Sequence, residues 1–272
     1  MSSSCAGMSE REELLELARA VGREAAVFVN RSRPRGRVEI AATKSSPTDV
    51  VTQIDRACEE LIRARIRSAR PDDGFVGEEG VDVIGTSGIE WVVDPIDGTV
   101  NFVYGIPAYG VSIAARQDDG VVVGYVINIA SGAEWGAIRG AGSWRYEGSQ
   151  RIKLTAPCVE RVDQALVATG FNYVPEIRAK QAAAMAQFIP QVRDIRRIGS
   201  AALDLCALAE GHFDAYVEEG LKDWDLAAGG LIASESGLVL SGLDGEPDER
   251  LVMAAHPSIA KEYFALVRAC GF

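Results

Sequence analysis

The sequence predicts an α/β chain in two parts: an antiparallel α+β half over residues 1–155 and an α/β half over residues 156–272. Three observations lead there. Apolar residues at helical spacing occupy most of the first seventy positions. Short β-branched runs bounded by Gly, Pro or Asp then follow. From about residue 157, strand-like and helix-like segments alternate.

Each element has a local reason. Ser9 with Glu12 three residues on is a capping box. Leu14, Leu17, Val21, Ala25 and Phe28 then repeat at helical spacing to about Asn30. The basic stretch SRPRGR, within Arg31–Arg37, is broken by Pro and Gly and reads as a solvated loop. Pro47 and Thr48 open a second helix with Ile54, Cys58, Leu61, Ile62 and Ile66 on one face, ending before Pro71. GFVGEE (74–79), IEWVVD (89–94), YGVSIAARQ (109–117) and VVVGYVINIA (121–130) read as strands. The last two are joined by a hairpin turn at Asp118, Asp119 and Gly120. EWGAIRG (134–140) and RIKL (151–154) continue the sheet. In the second half, QALVATG, DIRRIG, FDAYVEE and LVMAA read as strands. EIRAKQAAAMAQFI, SAALDLCALAEG, DLAAGGLIASESG and the segment from Pro257 to Cys270 read as helices.

Composition narrows the function. Apolar residues make up 47 %, enough for a full core and against disorder. With 28 Lys and Arg against 39 Asp and Glu, the net charge of −11 argues against a nucleic-acid or membrane partner. Any phosphate would need local cations to hold it. The five cysteines are scattered, with no C-x-x-C pair, which fits a reduced, cytoplasmic location. The start, MSSSCAGMSE, has no secretory pattern, and no apolar run is long enough to span a membrane. His212 and His256 are the only histidines and both read as structural, so a multi-histidine zinc site is not expected.

The chemistry concentrates in Trp91 to Thr99. A buried-type strand is expected to end at Asp94, because Pro95 has no N–H for the ladder. The chain then turns at Asp97-Gly98. Two carboxylates thus emerge together with a carbonyl between them, an oxygen-only set that suits Mg²⁺ or Mn²⁺. Gly98 permits close backbone approach, so the Gly98 and Thr99 N–H groups can meet phosphate oxygens. Taken alone, Asp-Gly is an ordinary turn pair. Glu78-Glu79 alone is a solvated acidic pair, and Asp225 alone is an N-cap. Together, three segments each place a carboxylate at an element end. Converged, two such charges about 4 Å apart repel by roughly 4 kcal/mol at an effective dielectric near 20. Bound cations make the cluster sensible. Two divalent ions sharing Asp94 would clamp a phosphate and activate a water.

At these residues the sequence resembles the inositol monophosphatase family, within the wider group of metal-dependent, lithium-sensitive phosphatases, and is closer to bacterial members than to animal ones. Four segments carry the resemblance: KSSPTDVVT at 44–52 with Asp55, GEE at 77–79, DPIDGT at 94–99 and WDLAAG at 224–229. It covers about residues 10 to 265. The resemblance implies a layered α-β-α-β-α sandwich of the sugar-phosphatase type, commonly a homodimer. It implies two or three Mg²⁺ ions, with Mn²⁺ as a substitute. Glu78, Asp94 and the Ile96 carbonyl match ligands of a first ion, and Asp94, Asp97 and Asp225 those of a second. Glu78 would reach a third ion through water. Thr99 with Asp55 matches the pair that orients the attacking water, although Asp55 by itself reads as a solvent-facing helix residue. Asp97, Gly98, Thr99, Ala201, Glu218 and Asp225 match substrate contacts. Lys44 matches a loop residue near the metals. Phe171 stands where some members carry a small hydroxyl residue.

The reading is therefore Mg²⁺-dependent hydrolysis of myo-inositol monophosphate by a metal-activated water. The same chemistry on histidinol phosphate, fructose 1,6-bisphosphate or a nucleotide 3′-phosphate is the enzyme alternative. A regulatory binding protein that keeps the fold is the non-enzyme alternative. Asp223-Trp224-Asp225 lacks the preceding strand of a haloacid-dehalogenase motif and has Ala227 at its last place. Cys5 to Arg11 has the count of a cysteine-phosphatase motif but none of its phosphate-cradling glycines.

Overall fold

Helix α1 (Glu10–Ser32) starts where the cap predicts, with Ser9 Oγ accepting the Glu12 N–H at 3.3 Å. It buries Leu14, Leu15, Ala18, Val21, Ala25 and Val29. The computed structural model describes residues 9–34, 36–43 and 50–272, without the side chains of Val50 and Val51. Strands β1 (Ala42–Thr43) and β2 (Val50–Val51) pair antiparallel, and α2 (Gln53–Ala69) follows. The expected helix start at Pro47 and Thr48 is overturned by β2. Thr52 caps α2 instead, its hydroxyl accepting from the Ile54 and Asp55 N–H groups. Two β-branched valines favour extended backbone over a helix's first turn. Pro47 and Thr48 themselves lie outside the described residues, as does Lys44.

The larger sheet has β3 (Gly74–Gly77), β4 (Glu90–Asp97), β5 (Gly110–Gln117), β6 (Gly120–Asn128), β7 (Glu134–Ile138), β8 (Gly142–Glu147) and β9 (Gln150–Lys153) side by side in chain order. Among the described residues β3 and β4 are this sheet's only parallel pair; the other neighbours pair antiparallel. Strand β8 escaped the sequence reading because GSWRYE has no β-branched residue. A short helix, α3 (Thr99–Tyr104), follows β4 directly, where only a turn was expected.

The smaller sheet contains β10 (Leu166–Thr169), β11 (Asp194–Arg196), β12 (Ala215–Glu218), β13 (Val239–Ser241) and β14 (Val252–Ala255), in spatial order β11-β10-β12-β14-β13. Between them run α4 (Pro175–Phe188), α5 (Ala201–Ala209) and α6 (Asp223–Glu235), and α7 (Pro257–Ala269) closes the chain. Strand β13 is a three-residue edge, too short for a periodic signal.

These elements stack as an α-β-α-β-α sandwich. Helices α1 and α2 cover one face of the larger sheet. Helices α5 and α6 lie between the sheets, with Ala202, Cys206, Ala228 and Ile232 against Val92, Ala114 and Val126. On their other side, Leu205 and Leu208 meet Ala168, Tyr216 and Val252. Outermost, Phe188 of α4 and Tyr263 of α7 pack on Val167, Val217 and Met253. Among the described residues no helix is long and apolar enough to cross a membrane.

Candidate active site and metal centre

Strand β4 does not end at Asp94. It runs through Pro95 to Asp97, with Asp94 opposite Ser112, Asp97 opposite Gly110 and a register shift between them. Residues three apart in a regular strand face opposite sides of a sheet. The extra residue of the bulge returns Asp97 to the side of Asp94. Pro95 sits in that bulge, where no ladder donor is required.

The same register brings in Glu78. Parallel pairing sets Gly77 opposite Val93, and the Glu78 N–H donates to Val93 O at 3.3 Å. Glu78 therefore leaves the sheet beside Asp94. Asp225 comes from across the interior, in the first turn of α6. It is not the N-cap but the third helical residue, reaching back so that its Oδ2 accepts the Lys222 N–H at 2.7 Å. Ser112, Asp94's partner on β5, donates to Trp224 O at 3.1 Å and fixes this turn to the sheet.

The result is a trio. Carboxylate oxygens of Asp94, Asp97 and Asp225 lie within 4.8 Å of one another. They line a recess of about 80 Å³ together with Glu78, Ile96 and Thr99. Burial, then the charges of Asp97 and Glu78, drive the Asp225 carboxyl well above the usual carboxylate range. Burial also raises Asp97. Ser200 Oγ–H at 2.5 Å, the Ala202 N–H at 2.8 Å, the Ala201 N–H and the Arg197 charge all work against that rise. An array that resists ionisation in this way, built of oxygen donors only, fits a hard divalent cation such as Mg²⁺. Neither histidine is near: His256 caps α7 and His212 is an exposed residue after α5.

Beside the recess, Thr99 Oγ1 lies 3.1 Å from Asp55 Oδ1 and 3.0 Å from Ile96 O. Asp55 is fully buried rather than solvent-facing, and its other oxygen accepts from both the N–H and the hydroxyl of Thr52. Gly98 has φ +90°, and a Cβ there would stand 2.9 Å from Ala108 O. Only glycine allows this turn.

The recess opens into a cleft of about 460 Å³, bordered by Phe171, Tyr173, Arg197, Ala201, Glu218 and Lys222 among others. Burial pushes the Glu218 carboxyl up to about 7, against the Tyr216 hydroxyl, which donates to it at 2.6 Å, and the Arg197 charge. A cleft of this size suits a small molecule.

The sequence pattern of the inositol monophosphatase family matches residues 10–271. The chain belongs to the inositol monophosphatase family. It is thereby placed among phosphoric monoester hydrolases. Inositol-1-monophosphatase SuhB of Mycobacterium tuberculosis (strain H37Rv) is 43 % identical over 276 residues, covering 96 % of this chain and 95 % of the relative. The solved structure of Mycobacterium tuberculosis SuhB superimposes with TM-score 0.82 at 41 % identity, covering 97 % of this chain and 99 % of the other. The family also includes Nus factor SuhB of Haemophilus influenzae, 35 % identical over 94 % of this chain and 96 % of the relative.

Within this family member, three supporting residues escaped the sequence reading. Ser112 anchors α6, as described. Buried Asn101 donates from Nδ2 to Ala108 O at 2.8 Å and Ile198 O at 2.9 Å, tying α3 to the turn that holds Asp97. Glu59 of α2 accepts the Glu79 N–H at 2.7 Å. A buried polar residue in an otherwise apolar strand was the one available signal, and it pointed only to Ser112.

Proposed function

We propose that this phosphatase hydrolyses myo-inositol monophosphate to inositol and phosphate, dependent on Mg²⁺ and by direct attack of water. The convergence of Asp94, Asp97 and Asp225 within 4.8 Å at the floor of a cleft bordered by Glu218 carries the reading. Glu78, Asp94 and the Ile96 carbonyl would hold one Mg²⁺, Asp94, Asp97 and Asp225 a second, and Glu78 a third through water. Such ions lower the pKa of water and neutralise charge on the ester oxygens.

The chain's own groups then orient the reactants. The Thr99 hydroxyl has one proton and two acceptors, Asp55 Oδ1 and Ile96 O, so its lone pairs stay available to a water's proton. Buried Asp55 keeps that hydroxyl in place. The Gly98 and Thr99 N–H groups face the phosphate oxygens. On the alcohol side, Glu218 accepts from a polyol hydroxyl, and Ala201 borders the same space. In this reading Thr99, held between Asp55 Oδ1 and Ile96 O, orients the attacking water instead of attacking itself, so no phosphoenzyme forms. Acid-quenched enzyme incubated with ³²P-labelled substrate should carry no covalent label, and a labelled protein would refute direct attack.

Phosphate release from inositol 1-phosphate, histidinol phosphate, fructose 1,6-bisphosphate and a nucleotide 3′,5′-bisphosphate, each with Mg²⁺ and with chelator, tests the whole. Magnesium-dependent release fastest from inositol 1-phosphate is expected. Another fastest ester keeps the site and changes the substrate. Relatives named as Nus factors favour a second reading, a regulatory binding protein. Mg²⁺ binding without release from any ester would support it. Lithium sensitivity and a homodimer belong to the first reading by family likeness, and a cytoplasmic location by the scattered cysteines.

A further inference from the structure

Glu59 lies one turn beyond Asp55 on α2 and is 2 % exposed. A buried carboxylate is costly unless paired, and its two oxygens have different partners. Arg63 Nη2 donates to Oε1 at 2.8 Å, and the Glu79 N–H donates to Oε2 at 2.7 Å. Arg63 also donates from Nη1 to Val81 O at 2.6 Å and lies 4.3 Å over the Phe75 ring. The glycines flanking Glu78-Glu79 complete the fit. A Cβ on Gly77 would stand 2.5 Å from Glu59 Oε2, and one on Gly80 2.5 Å from Oε1. Reciprocal hydrogen bonds of 2.8 Å between Phe75 and Val83 close the turn's open end. The turn carrying Glu78 is moulded on the Glu59–Arg63 pair.

We infer that Glu59 is a positioning residue for the metal centre, holding the 77–81 turn so that Glu78 stays at the recess. Helix α2 then sets two parts of the site as one rigid body, Asp55 against Thr99 and, one turn on, Glu59 against the Glu78 turn. This rests on the reading of Glu78 as a metal ligand. Its consequence is selective: loosening the turn weakens divalent-ion binding while leaving turnover at saturating ion intact.

The test uses Glu59→Gln and Gly80→Ala, which disturb the same contact from opposite sides. Mn²⁺ affinity is measured by calorimetry, Mg²⁺ half-saturation by activity on inositol 1-phosphate, and unfolding in chelator by calorimetric scanning. Roughly tenfold weaker Mn²⁺ binding and a matching rise in Mg²⁺ half-saturation are expected, as for lost groups behind metal ligands. Saturated turnover should stay close to the native value, because excess ion refills a weakened site by mass action. Unchanged affinity in both folded variants overturns the inference, as does a loss of saturated turnover at unchanged half-saturation. If the native protein binds Mn²⁺ but hydrolyses nothing, the proposed activity fails while the calorimetric comparison still decides the role of Glu59.

Discussion

Replacing Asp94 by Asn should stabilise the metal-free protein and abolish its activity. The carboxylates of Asp94, Asp97 and Asp225 lie within 4.8 Å of one another. At that distance two full charges repel by roughly 3.5 kcal/mol at an effective dielectric near 20. Burial raises Asp97 and Asp225, which favours their neutral forms and offsets part of this. The net gain on removing the Asp94 charge is then about 1–2 kcal/mol. Asn keeps an Oδ1 able to accept the Ile96 N–H, at 2.9 Å in the native chain. For a chain of this size the gain corresponds to a rise of about 2–6 °C in unfolding midpoint. Mg²⁺ reverses the order. An ion at about a hundred times its dissociation constant stabilises the native protein by about 2.7 kcal/mol, and the variant, lacking the shared ligand, gains little. Scanning calorimetry in chelator and in saturating Mg²⁺ reads both arms, and phosphate release should be near background in the variant. A variant that melts below the native protein in chelator, or shows an equal Mg²⁺ shift, would refute the cluster as a repulsive, cation-requiring centre.

The other predictions concern the cleft and its turn. Glu218 titrates near 7 in the folded chain against 4.5 when free, so burial disfavours its charged form. A raised carboxyl contributes stability that is full below 4.5 and lost as pH rises through about 7. The metal-free protein should therefore lose midpoint between pH 5 and 8, and Glu218→Gln should lose less; equal slopes would contradict the assignment. The same variant should raise KM for inositol 1-phosphate more than for an ester without hydroxyls, at unchanged Mg²⁺ half-saturation, and an equal rise for both esters would remove Glu218 from substrate selection. Gly98→Ala forces an L-residue to φ +90° and a methyl to within 2.9 Å of Ala108 O. The conformation alone costs about 1–3 kcal/mol, so denaturant unfolding should show a clear loss together with weaker activity, and an unchanged midpoint would refute the strain argument.

The sequence by itself carried the helix faces, most strands and the DPIDGT, GEE and WDLAAG segments. Each of these is local: apolar period, turn residues and the contiguous spacing of acids are written along the chain. What needed tertiary structure was whatever depends on the position of a second segment. The strand was expected to stop at Asp94, yet pairing with β5 carries it through a bulge to Asp97, and that bulge puts both carboxylates on one side. Asp55 looked like a solvent-facing helix residue until α2 packed it beneath Thr99. Asp225 taken alone read as a cap, whereas Ser112, more than a hundred positions earlier, holds its turn against the sheet. Gly77 and Gly80 have no reason along the chain, and only the arrival of the Glu59 carboxylate shows why a side chain has no room there. Hydrogen bonds and close approaches between distant segments leave no period in the sequence, because they are set by sheet register and layer packing rather than by neighbours along the chain.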